Sequence, residues 1–226
     1  MKWIITFSGL DGCGKSEQCR LLSDKLTKVG IKHVVLYSRI GRNRSLFLSR
    51  HILLAVMNVV AAEKESQWKK IKQDLITKLY TRIAIVDTIF HYALLYRVRS
   101  IGCDLVLCDR YIWDSYIDMK VLNRDYNIKE LPLWKLLEFV APKASISILL
   151  QIPAIQANDR EQQRANDYIE PLDRSVQREK LYTELIADNA WSIVVDGANS
   201  RKTIQREIIN YLINVLPDVK LFRKGK

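Results

Sequence analysis

Gly9-Leu10-Asp11-Gly12-Cys13-Gly14-Lys15-Ser16, entered from the apolar run Trp3-Ile4-Ile5-Thr6-Phe7, is a complete G-x-x-x-x-G-K-[ST] phosphate-binding loop. Each residue type answers a physical demand. The glycines let the backbone turn with no side chain in the way, so that successive N–H groups converge on phosphate oxygens. Lys15 can reach the β- and γ-phosphates, the Ser16 hydroxyl can ligate Mg²⁺, and the helix that starts here adds its positive N-terminal dipole. The motif's required context is present on both sides: a buried-strand pattern before it, and Cys19, Leu22, Leu26 and Val29 at helical spacing after it. The stretch predicts a strand-loop-helix site for a nucleoside triphosphate, with Gly9, Gly12, Cys13, Gly14, Lys15, Ser16 and Glu17 as its ATP phosphate-binding residues.

The same alternation continues outward. His33-Val34-Val35-Leu36-Tyr37 reads as a second strand and runs into a cation-rich loop, Ser38 to Arg44. A helix is predicted over 46–63 and a long one over 68–100. In the long helix Ile71, Leu75, Leu79, Ile83, Val86, Phe90, Leu94 and Val98 recur every three or four residues, a stripe expected to face the core. Further strands are predicted over 104–108, 144–152 and 193–195, with helices over 113–122, 133–140, 171–189 and 201–215. Strands that are apolar throughout and alternate with helices imply a parallel sheet covered on both faces. The expected fold is therefore α/β: a P-loop NTPase fold with a five-stranded parallel sheet, in one domain spanning 1–226. The polar stretch 158–170 is expected to form a short arginine-bearing lid, and 218–226 a solvated basic tail.

Composition narrows the partners. At 226 residues the chain is long enough for one well-buried α/β core, and 48% hydrophobic with 27% charged residues fits a globular protein. The start has no signal-peptide pattern, and the longest apolar region, 46–62, is interrupted by Arg50 and His51, so no membrane span is expected. Four cysteines without metal-ligand spacing suit reduced thiols in a cytoplasm. The formal charge of +11 fits an anionic substrate embraced by arginines. The cations are dispersed and no aromatic-basic stripe accompanies them, which argues against a nucleic-acid platform.

Ligands of such sheets gather at the carboxyl ends of the strands. Three groups sit there: the phosphate loop, the Ser38 to Arg44 loop, and Asp109-Arg110-Tyr111. Phosphoryl transfer needs positioning and charge neutralisation, hence Mg²⁺, a lysine and arginines. Asp109, at a strand end, can hold Mg²⁺ or its waters together with Ser16. Arg110 can grip an acceptor phosphate with two parallel hydrogen bonds. Arg160 and Arg164, four apart on one helical face, could close over the triphosphate. Lys15, Asp109, Arg110, Arg160 and Arg164 are the candidate catalytic residues.

The array GLDGCGKS, then DRY, then Arg160 and Arg164 followed by Asp167 and Glu170, resembles the thymidylate kinase family of P-loop nucleoside monophosphate kinases over nearly the whole chain. Phe7-Ser8-Gly9-Leu10-Asp11-Gly12 is similar to the family's F-E-G-x-D-G, and Leu150-Gln151-Ile152-Pro153 to its L-D-V-P ahead of the lid. Asp167-Tyr168-Ile169-Glu170 is similar to its D-R-F-E, and Tyr182 matches a tyrosine farther down that helix. The resemblance implies that Asp11 faces the acceptor's sugar, that Asp109 and Glu170 lie in the metal region beside Ser16, and that Arg110 meets the acceptor phosphate. Tyr37-Ser38-Arg39-Ile40-Gly41 is similar to F-P-R-Y-G, which places Tyr37 near the base and Arg39 near the acceptor phosphate. Arginines in the lid resemble the bacterial-type arrangement, in which the lid supplies the catalytic arginine.

The likeness breaks where the base and sugar are read. The family's Asp-Arg helix motif becomes Asp87-Thr88. After DRY, the family's Ser becomes Asp114 and its Ala-Tyr becomes Ile117-Asp118. A pocket built to hydrogen-bond one edge discriminates strongly, so those changes alter what it selects. The reading expected from sequence is an ATP- and Mg²⁺-dependent nucleoside monophosphate kinase with thymidylate as default acceptor. An atypical nucleotide or specialised phosphorylated metabolite is the alternative acceptor, and a non-catalytic nucleotide-binding P-loop protein is the alternative class. By the same resemblance a homodimer would form through helices within 46–100.

Overall fold

Five apolar runs become five parallel strands in a single sheet. A computed structural model of the chain describes residues 3–38, 67–163 and 169–216. The strands are β1 (Trp3–Gly9), β2 (His33–Tyr37), β3 (Leu105–Asp109), β4 (Ile146–Gln151) and β5 (Ile193–Asp196), in the order β2-β3-β1-β4-β5. Central strands are buried on both faces, which is why they read as unbroken apolar runs: β3 is buried at every position and β1 at all but Trp3. β1 pairs with β3 on one side and β4 on the other, its register setting Phe7 opposite Asp109 and Gly9 opposite Leu150. The phosphate loop therefore leaves the sheet's middle strand, next to the end of β3 that delivers Asp109 and Arg110. This is the P-loop α/β arrangement that the sequence predicts.

The helices among the described residues are α1 (Lys15–Lys28), α2 (Gln67–Phe90), α3 (Ile112–Leu122), α4 (Pro132–Val140), α5 (Ala154–Gln162), α6 (Leu172–Ala187) and α7 (Arg201–Val215). α2 continues through a π-helical turn, His91–Leu95, into Tyr96–Arg99. Local chemistry sets the ends. Gly14, in the left-handed region at φ 97°, opens α1, and Gly30 at φ 74° closes it. Pro132 starts α4, where its missing N–H costs nothing. The Ser200 hydroxyl accepts from the Thr203 N–H at 3.2 Å and caps α7.

The described residues cluster into two compact units. The first holds the whole sheet with α1, α5, α6 and α7. Its core is Ile5, Phe7, Leu105, Leu107, Ile146, Ile148 and Leu150 of the strands, with Leu22 and Leu26 of α1 and Leu212 of α7 packed beside them. The second unit is helical in its described part, from Ser38 and Gln67–Val98 with Ser115–Pro142; there α2 packs on α4, and Tyr92 and Trp134 are fully buried.

One expectation is corrected in α2. Ile71, Leu75, Leu79, Val86, Phe90, Leu94 and Val98 are exposed, Leu75 by 61%, and do not form the core. The buried side of the helix carries Thr81, Ala84, Ile85, Thr88, His91, Tyr92 and Tyr96. Thr81 and Thr88 satisfy their hydroxyls within the helix, bonding the Thr77 and Ala84 carbonyls at 2.9 and 2.7 Å, which lets polar residues occupy the covered face. Periodicity located the stripe, but both faces of α2 repeat at the same spacing.

The predicted helix over 46–63, the basic tail 218–226 and lid residues 164–168 lie outside the described residues. No described helix is long and apolar enough to cross a membrane. Cys13, Cys19, Cys103 and Cys108 are free thiols, only Cys103 partly exposed.

Candidate active site

The loop's glycines are needed for two different reasons. A Cβ on Gly9 would stand 2.4 Å from the Leu150 carbonyl oxygen, and one on Gly12 would stand 2.2 Å from that of Ala157. Both positions are also in the left-handed half of φ space, at 137° and 84°. Gly14, at φ 97°, would point a Cβ into open space. The loop is thus pressed onto the backbone of β4 and α5 on one side and open at Gly14, where a phosphate would approach.

Lys15 is buried, and its ammonium donates to the Gly9 carbonyl at 2.8 Å and the Leu10 carbonyl at 2.5 Å, with Cys13 Sγ at 3.6 Å. A buried cation held only by neutral loop carbonyls is poised for an anion. The Cys13 thiol is pushed up by burial, against the pull of Lys15.

Ser16 donates from Oγ to Asp109 Oδ2 at 2.5 Å. The other carboxylate oxygen, Asp109 Oδ1, is buried without a hydrogen-bond partner. A hydroxyl and a carboxylate brought together, with one carboxylate oxygen unused, form a hard oxygen donor set that fits Mg²⁺. Among the described residues no group of three or more His, Cys, Asp or Glu gathers as a metal site.

Arg110 follows Asp109 in a left-handed conformation, φ 75°, that a non-glycine residue adopts only when its surroundings impose it. Its N–H donates to the Phe7 carbonyl at 2.9 Å, and its guanidinium is ion-paired with Asp11 and lies 3.6 Å from Asp114 Oδ1. Asp114, almost wholly buried, accepts from Ser8 Oγ at 2.6 Å, from the Tyr111 N–H at 2.9 Å and from the Tyr182 hydroxyl at 2.7 Å. The Tyr111 contact is half of a capping box: an acid in the first turn reaching back to the N–H at the helix start. Tyr182 also lies 3.0 Å from the Gly9 carbonyl, so its one proton is shared, with the carboxylate nearer. Burial and then the Asp114 charge push the Tyr182 hydroxyl well up. Burial does the same to Tyr111. Asp11 of the phosphate loop is therefore joined with Arg110, Asp114, Ser8 and Tyr182 in one network.

The other described candidates have contacts of their own. Arg160, on α5, donates to the Gly197 carbonyl at 2.8 Å and the Ala198 carbonyl at 3.3 Å, on the loop after β5. Glu170 is gripped by Arg178 at 2.8 and 3.0 Å. Glu17 pairs with Arg20 and, at 2.6 Å, with Arg201. Tyr37 is exposed at the end of β2. In the second unit, Asp87 and Thr88 of α2 and Asp118 of α3 are all buried, with the Thr88 hydroxyl spent on its own helix. Arg39, Arg164 and Asp167 fall outside the described residues. Sequence alone does not single out Ser8. Its signal was there only in combination, as a hydroxyl on an apolar strand that a carboxylate far along the chain could reach.

No protein-family model matches the chain. Curated relatives do. It is 30% identical to a protein named thymidylate kinase from Chlorobium phaeobacteroides over 150 residues, covering 58% of this chain and 68% of that protein. It is 27% identical to the one from Nostoc punctiforme over 222 residues, 95% of this chain and 98% of the relative. The one from Trichodesmium erythraeum is 25% identical over 226 residues, 96% and 97% of the two chains. With the phosphate loop, the Ser16–Asp109 pair and Arg110 in one site, the chain belongs to the thymidylate kinase family.

Proposed function

We propose that the protein is an ATP- and Mg²⁺-dependent nucleoside monophosphate kinase that transfers the γ-phosphoryl group to an acceptor phosphate. The observation that carries this reading is the Lys15–Ser16–Asp109 constellation, with Arg110 beside it. Lys15 neutralises donor phosphate charge from within the loop. Ser16 and Asp109 would hold Mg²⁺, which supplies charge neutralisation across the donor phosphates. Arg110, held by Asp11 and Asp114, presents a fixed guanidinium to the acceptor phosphate. Arg160 and Arg164 supply the lid's positive charge, and Glu170 belongs to the metal region by family likeness.

Thymidylate is the default acceptor, with Asp11, Tyr37, Arg39, Asp87, Thr88, Arg110, Asp114 and Asp118 as the acceptor-facing set. A second acceptor class is favoured by one observation: Thr88 and Asp118 are buried where the family carries a base-reading arginine and a sugar-sensing tyrosine. Thr88 spends its hydroxyl on Ala84 and so offers no donor fork to a thymine edge. The exposed apolar stripe of α2 supports self-association of two copies, a test for light scattering. Free thiols support a reducing, cytoplasmic setting.

The test is turnover: ATP, Mg²⁺ and each common nucleoside monophosphate in turn, with ADP measured and Lys15→Ala as the inactive control. Turnover with thymidylate supports the default. Turnover only with another acceptor supports the second class, and no turnover with any acceptor overturns the kinase reading.

A further inference from the structure

On the first unit, α1 and α7 enclose a groove of about 390 Å³. Its lining is chemically biased. Lys25, Arg201, Lys202 and Arg206 line it with no acidic residue among them, and Leu21 and Ile209 give it apolar walls. Lys25, Lys202 and Arg206 have no ion-pair partner among the described residues. Three unpaired cations converging beside a fourth, Arg201, whose ion pair is with Glu17, is a costly arrangement for a bare surface, because like charges repel.

Gln205 supplies a second and independent sign. It lines the same groove, is only 8% exposed, and neither its amide nitrogen nor its amide oxygen has a hydrogen-bond partner. Leaving both ends of a buried carboxamide unsatisfied is among the more expensive things a fold can do. The terminal torsion of glutamine is soft, so the amide can turn toward an occupant. What it offers is one donor and one acceptor side by side, the pattern that pairs with the edge of a nucleobase.

We propose that this groove is a second, non-catalytic site for a nucleoside di- or triphosphate. The cations take the phosphates, Leu21 and Ile209 flank the ring, and the Gln205 amide takes the base edge. Its volume lies in the range of small-ligand pockets. Arg201 ties the groove to the phosphate-loop helix: its guanidinium holds Glu17 at 2.6 Å, and its carbonyl accepts from Gln18 at 3.1 Å, both residues following Ser16 directly. Phosphate in the groove competes with Glu17 for that guanidinium, so the two sites are coupled through one ion pair.

Equilibrium dialysis of the full chain with labelled ADP, without Mg²⁺, tests it. The wild type is expected to bind two ADP. Lys202→Glu/Arg206→Glu, at exposed positions outside the phosphate loop, loses one and keeps the other, whereas Lys15→Ala keeps the groove's ADP. Gln205→Leu should weaken groove binding about tenfold while raising the melting temperature, since it removes unsatisfied buried polar atoms. A structural role for Gln205 predicts a lower melting temperature instead and would overturn its assignment. ADP binding unchanged in Lys202→Glu/Arg206→Glu overturns the site. Displacement of groove ADP by inorganic pyrophosphate or a single-stranded oligonucleotide at equal affinity overturns the nucleotide assignment. Failure of the kinase reading looks different: if the phosphate loop binds no ADP, the wild type binds one and Lys202→Glu/Arg206→Glu none.

Discussion

The Ser8 hydroxyl donates to the Asp114 carboxylate at 2.6 Å, joining the middle strand to the first turn of α3 across 106 residues of chain. In the family pattern F-E-G and DRY followed by Ser, the acid stands at the strand position and the hydroxyl at the helix position. Here carboxylate and hydroxyl stand the other way round, and they are in contact. The acid stands on α3 rather than β1, where it also caps the helix and reaches Tyr182.

That exchange predicts a double-mutant result. Asp114→Ser alone leaves Arg110 and Tyr182 without their shared carboxylate and should destabilise by about 3 kcal/mol, as breaking buried charged pairs does. Ser8→Glu alone sets two buried acids together and should cost at least as much. Ser8→Glu/Asp114→Ser should recover more than half of either loss. Urea unfolding of the four proteins checks it, and strict additivity of the two losses would refute the exchange.

The glycines of the loop should separate by where their space goes. Gly12→Ala drives a methyl into the Ala157 carbonyl at 2.2 Å, with φ already at 84°, and should prevent the native loop from forming. Gly14→Ala meets no atom within 4 Å and bears only the left-handed penalty, about 1–2 kcal/mol. Its damage should fall on nucleotide affinity, because the methyl occupies the open side. Thermal melts and ATP titration of the two variants distinguish these costs.

How far the chain could be read in advance follows from what each feature depends on. The loop and the five strands were legible because their rules are local: a motif of eight positions, and strands buried on both faces that show as apolar runs. The outward stripe of α2 was not, since Ile71, Leu75 and Phe90 repeat at the same spacing as Thr81, Ile85 and Thr88, and sequence does not say which face is covered. Asp114 was legible as a departure from the family. Its partner Ser8 was not, because their meeting depends on how β1 and the start of α3 are brought together.

Alkali should reveal Tyr182. Burial and Asp114 raise its pKa, so the folded chain keeps a proton that the unfolded chain gives up. Stability from this source is full below the ordinary tyrosine value of about 10 and is lost as pH rises through the folded value. Cys13 and Cys19 act with the same sign from about pH 9, so the comparison must be between variants. Tyr182→Phe should be less stable at pH 7 by about 1–2 kcal/mol, having lost a charge-assisted bond. It should also fall less steeply between about pH 10 and 11. Parallel curves for the two proteins would refute the assignment.

Arg160 tests whether the lid arginine takes part in transfer or serves only as a tie. Its guanidinium rests on the Gly197 and Ala198 carbonyls, on a loop whose Gly197 N–H donates to Gln151 at 2.6 Å and whose backbone approaches the Cys13 carbonyl. A cation bonded to neutral carbonyls beside the phosphate loop exchanges them for phosphate oxygens as charge develops nearby, since an anion adds full charge attraction that a carbonyl lacks. Arg160→Ala should then lower kcat by about 100-fold with little change in the KM for ATP, the signature of an interaction made only in the transition state. Arg160→Lys keeps the charge but not the two-pronged fork and should recover only part of the rate. A pure tie would show the reverse pattern, an unchanged kcat with a raised KM and a lower melting temperature, because α5 and the loop after β5 would have lost their link.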